Sequence, residues 1–128
     1  MMSISTQNEF IDSVKQNYER FASCLKLEKP SFANQGFLSS AKMTAAGGTV
    51  EILCGPPEYH AEVFIDCAGN HKRWGLADFI QVEHVKHWLD AYQSKTESQS
   101  EVEADVEWIF HLLSEGLKGI KEFAWIQK

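Results

Sequence analysis

A chain of 128 residues, 44% hydrophobic and 23% charged, is long enough to bury a core that needs neither metal nor disulfide, and this composition excludes disorder as a class. Its net charge of −6 is unevenly spread: no Lys or Arg lies between Lys42 and Lys72, against Glu51, Glu58, Glu62 and Asp66, and none between Lys95 and Lys118, against Glu97, Glu101, Glu103, Asp105, Glu107 and Glu115. Two such segments repel phosphates and attract cationic groups, which argues against nucleic acid as a partner and for a basic one.

From Thr6 to about Lys26, Phe10, Ile11, Val14, Tyr18, Phe21 and Leu25 recur at helical spacing, the stripe of an amphipathic helix, with Thr6 and Glu9 as a capping box. Pro30 ends that element, and SFANQG reads as loop. Phe37 to Ala46 is a strand candidate, and Gly47-Gly48 supplies a two-residue hairpin turn. The register this predicts sets Ala45 opposite Val50, Met43 opposite Ile52 and Ala41 opposite Cys54, all toward the core.

The stretch TVEILCGPPEYHAEVFID, Thr49 to Asp66, reads as two strands about a Gly-Pro-Pro turn. Val50, Ile52 and Cys54, then Tyr59, Ala61, Val63 and Ile65, fall on one face. The opposite face carries Glu51, Glu58, His60, Glu62 and Asp66, with Leu53 and Phe64 as apolar exceptions. This predicts a sheet with a core side and an acidic side. Gly69-Asn70 gives a second reversal into a short strand, His71 to Trp74, and LADFI a helical turn that packs Leu76, Phe79 and Ile80 inward.

Val82, Val85, Leu89 and Tyr92, bordered by Trp88, form the stripe of a second helix. After the polar linker KTESQS, a third helix runs from about Ser100 to Leu117 with Val102, Val106, Ile109, Phe110, Leu113 and Leu117 on one side. EFAWIQK is a last strand or a packed extension. The expected fold is one α+β domain over residues 1–128, an antiparallel β-meander packed against an N-terminal helix and two C-terminal helices.

Cys24, Cys54 and Cys67 are odd in number and have no CxxC spacing. They read as small packing residues in a reducing, cytoplasmic protein. The N-terminus MMSISTQNEF lacks the basic and apolar regions of a signal peptide, and no apolar run approaches the roughly 20 residues of a membrane span. No phosphate-cradling glycine pattern occurs, and KLEK and HKR are too small for a nucleic-acid footprint. His84 and His87 share their helix side with Glu83, Lys86 and Asp90, an ordinary solvated face. Glu58, His60 and Glu62 project side by side about 7 Å apart on one strand face. That spacing suits a metal or an acid/base cluster, yet further ligands are missing from view, so a solvated or partner-facing strand is the simpler reading and no cofactor is expected.

Trp108 points away from the apolar stripe of its helix and shares its side with Glu101, Asp105 and Glu115. Such a tryptophan either packs beneath another element or anchors an interface. The partner-binding candidates are therefore Glu103, Asp105, Glu107 and Trp108, followed by Glu58, His60 and Glu62.

On the hairpin VEILCGPPEYHAEVFID and the helices VEHVKHWLDAY and VEWIFHLL, the chain resembles the small acidic α+β immunity proteins of bacterial polymorphic toxin systems, including contact-dependent inhibition. The resemblance implies a cytoplasmic protein, not an enzyme, that binds and neutralises one cognate toxin domain, often a cationic nuclease. The alternative is a small-molecule or metal-binding domain, or a minor enzyme, that uses the Glu58, His60 and Glu62 face.

Overall fold

Phe10 and Val14 have no exposed surface, so the stripe of the first helix is the wall against which both the sheet and the last helix pack. The computed structural model describes residues 4–56, 60–69, 72–93 and 101–128. Helix α1 spans Ile4–Phe21. Thr6 lies inside it and so is not its N-cap. The helix stops short of Lys26 because the chain turns to bring Leu25 into a bridge with Gln127. The Lys26 N–H donates to the Ile126 carbonyl at 2.7 Å and the Lys128 N–H to that of Cys24 at 3.0 Å. The tail is thus a packed extension, with a 3₁₀ turn at Lys121–Phe123 and with Phe123 and Ile126 fully buried.

Five strands follow, β1 (Ser31–Gln35), β2 (Leu38–Ala45), β3 (Gly48–Cys54), β4 (Ala61–Cys67) and β5 (Lys72–Trp74), joined in chain order as an antiparallel meander. Strand β1 corrects the loop expected at SFANQG. It is a polar edge strand, which needs no alternating apolar pattern because only Phe32 packs against the core. Gly36, at φ +63°, makes the turn that follows.

The β2–β3 turn is Ala46-Gly47 rather than Gly47-Gly48. Ala45 pairs with Gly48, Met43 with Val50 and Ala41 with Ile52, two residues from the expected register. A shift of two leaves every side chain on its expected face. The glycines serve close approach: a Cβ on Gly47 would collide with the Trp125 ring, and one on Gly48, at φ +154°, with the Asp66 carbonyl. The Gly69-Asn70 reversal and the start of the last strand at His71 fall partly outside the described residues.

Ala41, Met43, Val50, Ile52, Cys54, Val63, Ile65 and Cys67 form the core face of the sheet. Helix α2 (Leu76–Phe79) is the single turn expected. Only Phe79 is buried, against Trp74 and Phe123, while Leu76 and Ile80, expected inward, are 51% and 38% exposed. One turn of helix aims one side chain at the core, and the largest takes that place. Helix α3 (Glu83–Gln93) buries Val85 and half-buries Trp88, Leu89 and Tyr92.

Helix α4 (Glu101–His111) packs against α1 and β4. It does not continue as an α-helix to Leu117. Leu112–Gly116 form a π turn, closed by the Leu117 N–H donating to the Leu112 carbonyl at 2.9 Å. Leu112, off the α-helical stripe, is fully buried together with Leu113 and Leu117, where α3 packs on the turn. Among the described residues no helix is long and apolar enough to cross a membrane.

Candidate partner-binding groove

The described acids of α4 and of the π turn after it do not form one surface; they reach three neighbours. Glu103 is exposed and, with Glu9 and Asp12 of α1, lines an open depression of about 370 Å³. Glu107 accepts from Arg20 of α1 at 3.0 Å and lies 3.6 Å from His111 Nε2. Glu115 accepts from the Trp88 indole N–H at 3.2 Å and lies 2.9 Å from His111 Nδ1. These contacts join α1, α4 and α3, so Glu107 is partly engaged within the fold.

Asp105 and Trp108 turn the other way, toward β4. One Asp105 oxygen accepts from the Ala61 N–H at 3.0 Å and lies 3.1 Å from His60 Nδ1. Trp108 is half-buried, its ring tilted against Trp88 at 6.1 Å. One part of it packs against the core and the rest walls a groove.

That groove, about 420 Å³ and mainly apolar, runs between Trp108, residues Ala61 to Phe64 of β4, Arg73, and Gly75 to Asp78 at the start of α2. Exposed Glu62 stands on it, Leu76 forms its lip, and the Asp78 carboxylate caps α2 by accepting from the Gly75 N–H at 2.9 Å. Asp105 and His60 meet next to Ala61, one of the groove's lining residues. The fold therefore brings Asp105 and Trp108 of one acidic segment beside His60 and Glu62 of the other, and leaves Glu103 and Glu107 on the α1 side. Glu58 lies outside the described residues.

The outer face of the sheet is less acidic than expected. Arg73 donates to Asp66 at 2.6 Å and to Glu51 at 2.8 Å, and its guanidinium lies 4.5 Å from the centre of the Phe64 ring. Lys42 pairs in register with Glu51. Sequence reasoning placed HKR only as a small basic cluster and so missed Arg73; the one available signal was that its strand had to lie beside Asp66. Leu76 and Asp78 were missed because a short apolar run carries no face information.

Among the described residues no group of three or more His, Cys, Asp or Glu side chains is placed to hold a metal. His84, Lys86, His87 and Asp90 are exposed, as the solvated-face reading requires. Cys54 and Cys67 are buried thiols outside any disulfide, at opposite ends of the β3–β4 ladder, whereas Cys24 is exposed and is no packing residue. Burial, then the nearby charges of Asp105 and Glu9, push the Cys54 thiol up to about 11, so it is a poor nucleophile at neutral pH. No protein-family model, curated protein or solved structure matches the chain.

Proposed function

We propose that this is a cytoplasmic immunity protein that binds and neutralises a basic toxin domain, with the Trp108 groove and its acidic rim as the centre of the contact. The observation that carries the reading is that Trp108 and Glu62, from two separate acidic segments, line one mainly apolar groove, with Asp105 and His60 paired beside it at Ala61. A half-buried tryptophan beside an exposed carboxylate and an exposed leucine has the composition of an interface centre, an aromatic anchor with charge at its rim. Glu103 and Glu107 then act as outlying charge rather than as the centre.

The test is co-expression with the basic C-terminal domain of a large secreted protein encoded beside this gene, followed by binding measurements on Trp108→Ala and Glu62→Gln. Loss of the complex with Trp108→Ala, and a salt-dependent weakening with Glu62→Gln, support the reading. Absence of a complex, or one indifferent to both changes, removes it.

A further inference from the structure

The Trp108 groove touches four consecutive residues of β4, Ala61 to Phe64. Consecutive strand side chains point to opposite faces, so a groove that meets all four runs along the edge of the strand and not over one face. The reason is the length of β5. It pairs only with Ile65, Asp66 and Cys67, and Gly75 then turns the chain into α2. Among the described residues no strand pairs with Ala61 to Phe64 on the side away from β3.

The direction of the edge groups follows from one hydrogen bond. The Ala61 N–H leaves the sheet to reach Asp105 at 3.0 Å, which places it on the side away from β3. Alternation along an antiparallel strand aims the N–H and C=O of Val63 the same way. Two residues on, Ile65 is already paired with Trp74 of β5. Val63 thus offers a donor and an acceptor to the groove in line with an existing ladder, and the Asp105 carboxylate blocks further pairing at Ala61. An inward-pointing charge is a common guard on such an edge.

Charge selects the occupant. Glu62 and Asp78 line the groove and Asp105 is bonded to Ala61 beside it, while the one guanidinium in the lining, Arg73, is already held by Asp66 and Glu51. We infer that the groove accepts an extended segment of a partner protein, which adds to the open half of β4 through Val63, lays an apolar side chain against Trp108 and Leu76, and places a Lys or Arg beside Glu62 and Asp105. This rests on the reading of the groove as a protein-binding surface and adds the conformation and charge of what enters it.

The test uses the full chain and a displayed library of short linear peptides, with Trp108→Ala as the counter-selection. The expected winners alternate apolar residues with Lys or Arg. N-methylation at alternate backbone positions of a winning peptide should weaken it about tenfold or more, with little effect at the intervening positions. Exchange of the Val63 amide should slow about tenfold in the complex. If Trp108→Ala does not fold, the N-methylation pattern and the Val63 amide still decide. No enrichment on the folded chain, winners without basic residues, winners indifferent to N-methylation, or an unchanged Val63 amide would each overturn the inference. Peptides that satisfy it while a neighbouring-gene toxin domain neither binds nor competes leave the strand site standing and remove the toxin reading. A toxin complex that leaves the Val63 amide unchanged does the reverse.

Discussion

Asp105 receives the Ala61 N–H and lies against His60 Nδ1 with a single oxygen, which ties α4 to the first residue of β4. Replacing it by Ala leaves the part-buried Ala61 donor without its acceptor, and the expected loss is about 1–3 kcal/mol by urea denaturation. A change below about 0.5 kcal/mol, the scatter of ordinary surface substitutions, would mean that the bond does not hold the strand. The thiols give a second test at this scale. At pH 8 a thiol reagent should modify Cys24 at once and reach Cys54 and Cys67 only on unfolding, because burial shields both and raises the pKa of each. For Cys54 the folded value, about 11, lies above the ordinary value of 9.0. Its contribution to stability is therefore fully present below about pH 9 and is lost as the pH rises through about 11. Rapid modification of Cys54 in the folded protein would contradict this packing.

At the scale of elements, the π turn at Leu112–Gly116 has the sharpest requirement. A Cβ on Gly116 would stand 2.8 Å from Leu112 Cδ1 and 2.9 Å from Trp88 Cε3, so Gly116→Ala must move the indole or undo the turn. A loss of about 1–3 kcal/mol is expected, with altered tryptophan fluorescence; a neutral substitution would show that α3 is free to shift. This element also marks where the sequence stops being informative. Val102, Val106, Ile109 and Phe110 follow the helical period and were legible. Leu112, off that stripe, is buried where α3 packs on the π turn, and no periodic pattern encodes the turn. Likewise the alternation Val50, Ile52, Cys54 and Ala61, Val63, Ile65 made the faces legible, while Trp125 and Asp66, which crowd Gly47 and Gly48 at the hairpin turn, are distant in sequence. Strand β1 was illegible because an edge strand with one half-buried aromatic has no pattern to display. The groove itself could be foreseen only in parts. Asp105, Trp108, His60 and Glu62 were legible as types, but their convergence depends on β5 being short.

At the scale of the molecule, folding redistributes the charge that the sequence concentrates. Arg73 meets Glu51 and Asp66, and Arg20 meets Glu107, so much of the two cation-free segments is neutralised locally by cations from outside them. Among the described residues, Glu62 and Asp78 line the groove, with Asp105 beside it at Ala61, and Glu9, Asp12 and Glu103 line the α1–α4 seam. Both contribute to the long-range field that steers a basic partner, but only a region that touches the partner controls how long the complex lasts. Removing charge from the seam with Glu9→Gln and Asp12→Asn should therefore slow association at low salt, leave dissociation unchanged, and lose its effect as the screening length falls to about 10 Å near 0.1 M salt. Removing charge from the groove with Glu62→Gln and Asp105→Asn should also speed dissociation, an effect that persists at high salt. The measurement is the association and dissociation rates with the basic domain proposed as partner, each at two salt concentrations. If the seam pair speeds dissociation and the groove pair does not, the contact lies between α1 and α4, and the Trp108 groove loses its place at the centre of the interface.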